Sequence, residues 1–418
     1  MEKRTQGAWL INHTNKLQEV TDSFDFEDIE LAGKCGLFLS NLSASDEQSD
    51  LNTDKVSAIA KVSNIKKTEI ETIKSILKDA DLIDVSTNGS VSVLGITTSS
   101  VLTHTSNLFE NSNPSNFQKA AIDLSDNISE LPKNDEILKE YISDNYKLSD
   151  SETNSLFANA EEIGFIDYEE IDNNKKLYFN GNLFRRDNAN KINAVLSSLK
   201  PEDNRKILEL DQHLTTSGCV TEEFAMNILG DQLTSKLQAI GMYDINQVSN
   251  SKESKTIITK PSAFNKYGNP FEEDALDLAK AFVSSLYYGI NFSTQGRGKI
   301  SMLKALLTKL VQGYDVGPAT AIGEDYKLLE LKRVIQLRAD LQYPNRFYMK
   351  LLKKDIGLLA MQVLEVGDTS EQVVLGNDIY SGSVTNYTGP EHNRRIVRKR
   401  QNSQSKESVT ELLRTFRN

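Results

Sequence analysis

Cysteine, histidine, tryptophan and proline are all scarce in this 418-residue chain, which holds 2, 4, 1 and 8 of them respectively. Cys35 and Cys219 stand too far apart for a redox CxxC or a metal knuckle, and two thiols build no disulfide framework. They are expected as buried thiols in a reducing cytoplasm. His13, His104, His213 and His392 fall in no HExxH or Hx3H spacing, and neither cysteine has a histidine close by in sequence. Metal and nucleophile templates therefore stay unfilled, and the chain reads as a non-enzyme without cofactor or metal. No run approaches the roughly 20 apolar residues of a membrane-spanning helix, and residues 1–20 lack a secretory apolar stretch. A cytoplasmic protein with no membrane partner is expected.

Two stretches imitate catalytic motifs. The loop Gly296-Arg297-Gly298-Lys299-Ile300-Ser301 has Ser293 where a phosphate loop needs its first glycine, and Ile300 where Ser or Thr should follow the lysine. Asp315 with Glu330-Leu331-Lys332 imitates the acidic and ExK elements of metal-dependent nucleases. The latter falls in a helical pattern where that chemistry expects a strand.

What the chain does have is segregated charge. The net value of −11 argues against a polyanion partner when taken alone. Yet residues 297–354 carry twelve basic side chains against five acidic ones, and residues 388–418 carry eight against three. The local balances are +7 and +5, which leaves −23 for the remainder. An acidic body with a basic C-terminal quarter follows, and local field rather than total charge steers a polyanion.

A threefold pattern runs through the acidic body. In the first copy Ile70, Ile73, Ile76 and Leu77 recur at helical spacing over residues 66–81, after a short helix around Ile59 and Val62 and a turn at Asn64-Ile65. Alternating Ile83, Val85, Val91 and Val93 flank Asn88-Gly89, a strong hairpin signal. Residues 135–186 repeat the plan, with Ser149 and Glu152 spaced as a capping box, and residues 204–264 repeat it again. Each copy ends its last helix in an apolar pair and an aspartate: Leu82-Ile83-Asp84, Phe165-Ile166-Asp167 and Met242-Tyr243-Asp244. The aspartates are 83 and 77 residues apart, a period of separate small domains rather than of a solenoid.

Helix, turn, helix and hairpin in this order resembles the winged-helix superfamily, present here as tandem copies. The resemblance implies that the helix from Lys66 is a recognition helix and the Asn88-Gly89 hairpin a wing. The expected fold class is mainly α with small β-hairpins (α+β). Three winged-helix domains are expected, over residues 1–110 (with an N-terminal helical extension), 115–190 and 191–268. A basic helical domain over 270–387 and a basic tail over 388–418, ordered by a partner, would follow. The helices expected beyond Pro270 cover residues 272–288, 300–312, 325–341 and 346–363, with Val374 and Leu375 in a strand, and a fourth winged helix within this region stays open as the alternative. Residues 47–53 and 106–115 read as linkers.

The favoured function is a non-enzymatic DNA-binding or DNA-complex-associated protein that grips a duplex mainly by its backbone. The candidate contacts are Lys66, Lys67 and Thr68 at the first recognition helix, then Arg297, Lys299, Lys332, Arg333, Arg338, Arg346, Lys350, Lys353 and Lys354. The run Arg394, Arg395, Arg398, Lys399 and Arg400 completes the set. Tyr343, Phe347 and Tyr348 lie among these cations, where rings stack on bases or on guanidinium planes. Phe347, Leu351 and Leu352 read equally well as core, with the cations paired to the acidic body. The alternative function is a protein-interaction scaffold, because Asp150, Glu152, Glu161 and Glu162 on the second recognition helix repel phosphate and suit a protein partner.

Overall fold

The computed structural model describes residues 1–18, 20, 24–45, 51–96, 98–171, 175–183, 192, 194–195, 197–249, 254–267 and 273–367. The chain is mainly helical with small antiparallel sheets of two or three strands, and none of its described helices is long and apolar enough to cross a membrane. It divides into two compact units whose described parts lie in residues 1–189 and 190–369.

The first unit opens with α1 (Lys3–Leu17) and α2 (Glu27–Ser45). Then come α3 (Thr53–Val62), α4 (Ile70–Asp79) and the hairpin of β1 (Ile83–Val85) and β2 (Val91–Val93). Next is α5 (Thr98–Asn111), which occupies most of the stretch expected as a linker. Val101, Leu102, Thr105 and Phe109 recur at helical spacing and are fully buried, so packing overrides the polar composition of residues 106–112. Helices α1, α2 and α5 pack on one another closely enough that a Cβ on Gly7 would strike the Leu102 carbonyl, and one on Gly33 the Thr14 hydroxyl.

A second set of elements completes this unit: α6 (Asn116–Glu130), β3 (Lys133–Asn134), α7 (Asp135–Tyr146), α8 (Asp150–Ile163), β4 (Asp167–Ile171) and β5 (Lys175–Phe179). The Ser149–Glu152 capping box forms at the start of α8 as its spacing predicts. The two sets share one core. Phe26 packs on Phe117 and Phe165, Gln118 accepts the Ile29 N–H at 3.0 Å, and the Trp9 indole donates to Asp126 at 2.9 Å.

The second unit repeats the plan with α9 (Pro201–Ser217), β6 (Val220–Thr221), α10 (Glu222–Leu229), α11 (Asp231–Ala239), β7 (Asp244–Ser249) and β8 (Ser254–Thr259). A short α12 (Ser262–Asn265) and a long α13 (Glu273–Asn291) follow. The region expected as a helical domain also contains strands. Beyond α14 (Leu303–Val311) the chain forms β9 (Val316–Ala319), α15 (Thr320–Asp325), α16 (Lys327–Leu331), β10 (Ile335–Ala339), β11 (Phe347–Leu351) and α17 (Lys354–Val366). The helices expected over 325–341 and 346–363 are each broken by a strand. Ile335, Leu337, Met349 and Leu351 alternate inward against exposed Gln336 and Lys350, a period of two that pairs the strands and leaves only the flanks helical. Val374 and Leu375 lie outside the described residues.

A fourth copy of the plan thus stands in residues 303–351. In each copy the order is helix, first strand, helix, helix, second strand, third strand, and the first strand pairs with the third: β3-β5-β4, β6-β8-β7 and β9-β11-β10. In the first copy that strand shrinks to Leu51, which bridges Val91 through two backbone hydrogen bonds of 3.0 and 2.9 Å. The corner is repeated four times as well. Asp81, Gly164, Gly241 and Arg333 adopt φ of 56, 81, 73 and 55°. The N–H of the residue after each then reaches back five positions: Leu82 to Leu77, Phe165 to Ala160, Met242 to Leu237 and Val334 to Leu329, at 2.9, 2.7, 3.1 and 2.8 Å. This Schellman closure stops the helix and turns an apolar pair into the core, each member worth about 1.5–3 kcal/mol when fully buried.

Candidate nucleic-acid interface

Antiparallel pairing sets Arg338 opposite Tyr348 and Gln336 opposite Lys350 on the outward face of the β10–β11 hairpin. The Arg338 guanidinium lies 4.5 Å from the Tyr348 ring centre and donates to Asp315 at 3.0 Å, which fixes the cation beside the ring. Asp315 is thereby committed to an ion pair. The connecting loop is organised by Asp340, whose carboxylate accepts the N–H groups of Gln342 and Tyr343 at 2.7 and 3.3 Å, while its own N–H donates to the Arg346 carbonyl at 2.8 Å. Asn345 takes the left-handed conformation at φ 68°. The Arg346 guanidinium then sits 5.0 Å from the Tyr343 ring, and Leu341 at the tip is 98% exposed.

Other expected contacts gather at the opposite end of the hairpin. Lys332 and Arg333 follow α16, Lys353 and Lys354 lead into α17, and all four are exposed. The Val334 carbonyl accepts the N–H groups of Leu352 and Lys353, which ties the two segments together. Lys350 is exposed midway between. Seven of the nine cations expected between residues 297 and 354 therefore belong to one hairpin and its base. Of the aromatic and aliphatic neighbours, Leu351 is core at 6% exposure, Phe347 is half-buried and Leu352 is exposed.

The remaining two belong elsewhere. Arg297 closes a 3-10 turn and is spent on Glu324 and Asp325, at 2.9 and 2.8 Å. Burial opposes its charge, but Tyr288 and the two carboxylates hold its pKa above the ordinary value. Its guanidinium is thus engaged by internal carboxylates rather than presented free on the surface. Lys299 is exposed at the lip of a cleft of about 270 Å³ walled mainly by Ile300, Met302, Tyr326 and Met349. Gly298 before it has φ 104°, and a Cβ there would strike Ala319, so this glycine serves close packing of the loop on β9.

In the first copy α4 begins at Ile70, so Lys66, Lys67 and Thr68 form an exposed turn before the helix instead of its first residues. The cause is Glu69. Its carboxylate accepts the Lys66 N–H at 2.8 Å and pairs with Lys34 at 2.9 Å. Burial works against that charge, yet Lys34 and the Lys66 amide hold the carboxyl below its usual range. The acid nearest the lysine pair is thus already neutralised from within.

In the second copy Asp150, Glu152 and Glu162 are exposed along α8, whereas Glu161 turns inward to Lys176 and the Tyr178 hydroxyl at 2.7 and 2.6 Å. Both cysteines are buried and unpaired, and burial pushes the Cys35 thiol up to about 12. Arg394, Arg395, Arg398, Lys399 and Arg400 lie outside the described residues, as does the whole of 388–418.

The organising roles of Asp340 and Asp315 escaped the sequence reading. Pro344-Asn345 between two alternating runs was the available signal for the turn, obscured by apolar residues that also fit a helical spacing. No family model matches the chain, and no curated protein matches it.

Proposed function

We propose that the four repeats are winged helices in tandem and that the chain is a non-enzymatic DNA-binding or DNA-complex-associated protein whose fourth repeat meets the duplex backbone. The observation that carries this reading is the outward hairpin face of the fourth repeat, where Arg338, Arg346 and Lys350 stand exposed with Tyr343 and Tyr348 beside two of them. Cations held on rings are pre-oriented donors for phosphate. The helix in the recognition position, α16, has only five residues, which favours backbone contact over base readout. Lys66 and Lys67 in the first copy, and the run at 394–400, would add further phosphate contacts.

The test is a salt titration of duplex binding by the full chain and by an Arg346→Glu, Lys350→Glu variant. Affinity should fall by about 0.9 log units per phosphate contact for each tenfold rise in salt, and the variant should show a shallower slope. A chain that binds no duplex at low salt, or a variant that binds like the wild type, defeats the reading.

A second reading, as a protein-docking scaffold, is favoured for the second repeat alone. The exposed acids Asp150, Glu152 and Glu162 occupy α8, the position from which a recognition helix would face phosphate.

A further inference from the structure

Two exposed apolar patches with opposite charge remain after these readings. On α7, Ile137 and Tyr141 are four residues apart on one face and are 62% and 40% exposed. Glu136, Glu140 and Asp144 form the adjacent stripe at the same spacing, all exposed. Glu136 makes a solvent-exposed pair with Lys175, while Glu140 and Asp144 make no ion pair among the described residues. The Lys133 ammonium lies 5.7 Å from the Tyr141 ring, which helps to seat the phenol on the helix surface.

The counterpart lies at the base of the β10–β11 hairpin. Leu331 and Leu352 are 81% and 50% exposed, and Lys332, Arg333, Lys353 and Lys354 surround them in sequence at the point where the Val334 carbonyl joins the two segments. None of these four cations makes an ion pair among the described residues. Each patch has two apolar side chains and an excess of one charge, acidic on α7 beside Lys133 and basic at the hairpin base beside Glu330 and Asp355.

From this complementarity we propose that the α7 patch of one molecule docks on the hairpin-base patch of a second copy of the same chain. The contact joins unlike surfaces, so it is head-to-tail, and each molecule keeps one free patch of each kind for further growth. Two apolar residues a side make a small interface, which implies weak association of the transient class, steered by charge and weakened by salt. The proposal does not depend on the duplex-binding role of Arg338, Arg346 and Lys350, nor on the α8 surface.

Light scattering and sedimentation of the nuclease-treated full chain test it. Mass should rise with concentration above the 46.8 kDa of one chain in about 50 mM salt, and return to that value in about 500 mM. Two charge-reversed variants sharpen the result, one carrying Glu140→Lys and Asp144→Lys, the other Lys353→Glu and Lys354→Glu. Each alone should stay at single-chain mass. Mixed, they should associate again, because the unaltered acidic α7 patch of one variant meets the unaltered basic hairpin base of the other.

Wild-type protein at single-chain mass throughout, variants that associate as the wild type does, or a mixture that fails to pair would each overturn the proposal. The Arg346→Glu, Lys350→Glu variant should associate normally. Loss of duplex binding with retained association separates this proposal from the nucleic-acid reading.

Discussion

The second and fourth repeats share an order of elements, a strand pairing and a corner, yet their surfaces are opposites. Residues 116–179 carry six basic and fifteen acidic side chains, a balance of −9, whereas residues 303–351 carry eight basic and five acidic ones, a balance of +3. The second repeat lines its 14-residue α8 with acids, whereas the corresponding α16 of the fourth has five residues and the hairpin strands carry cations. The plan of a repeat is held by a few inward residues and one backbone closure, so the outward residues are free to take either sign. One arrangement of elements therefore carries two opposite surfaces without altering its core.

The comparison breaks most visibly at the corner. Phe165 stacks on His13 at 3.9 Å and packs edge-on to Phe26, so it anchors its repeat to α1 as well as to its own core. Phe165→Ala is expected to cost about 3–5 kcal/mol. Val334, its counterpart, is smaller, and Val334→Ala should cost about 2 kcal/mol. Trp9, the only tryptophan, lies in the first unit, so its fluorescence during urea unfolding reports the first variant, while circular dichroism follows the second.

The next largest effect concerns charge. Arg346→Glu with Lys350→Glu should lower duplex affinity at least about tenfold at moderate salt, because two attractive phosphate contacts become repulsive. Glu152→Gln with Glu162→Gln in the second repeat should leave duplex affinity unchanged. Fluorescence anisotropy of a labelled duplex compares the two directly.

A smaller effect depends on pH. Burial, followed by the nearby Lys16 charge, lowers the His13 pKa well below its ordinary value, and its ring hydrogen-bonds Ser125 at 3.0 Å. The unfolded chain takes up this proton near pH 6.5, whereas the folded unit resists it. The stability that the neutral ring contributes is complete above that pH and is lost as pH falls toward the folded pKa, by up to about 1.4 kcal/mol per pH unit. Urea midpoints read by Trp9 between pH 7.5 and 5 should fall, and His13→Phe should flatten that part of the slope.

The smallest effect is at a helix end. Ser149 and Glu152 close a capping box on α8. Ser149→Ala should lower the melting midpoint of the first unit by about 2–4 °C. A shift within error would show that the capping box adds little to the stability of that repeat.

Much of the plan was legible. The alternation at Ile83 and Val85, the Asn88-Gly89 turn, the Ser149–Glu152 box and three of the four corners are local patterns, and each formed where the residues place it. The fourth corner was hidden because Arg333-Val334-Ile335-Gln336 lacks the aspartate that follows the apolar pair in the other three and the glycine that precedes it in two of them. Arg333 takes a positive φ that a long side chain rarely adopts, and only the buried Val334-Ile335 pair offsets that cost. The candidate site was legible as a list of cations, but not as a geometry. Read as helical, Arg338 falls on one helix and Arg346 and Lys350 on the next, whereas strand pairing gathers all three on one face.

From composition and local pattern alone came the α+β class, the recurring module, its apolar pairs and the separation of acidic from basic surface, because each depends on near neighbours in the chain. Tertiary packing settled the rest. It gave the fourth repeat its sheet, since a strand forms only when a distant segment supplies its hydrogen bonds. It also withdrew Arg297 into an ion pair with residues 27 and 28 positions away, and Glu69 into one with Lys34. Whether a charge faces solvent or a counter-charge is decided by what packs beside it, and that partner is rarely adjacent in sequence.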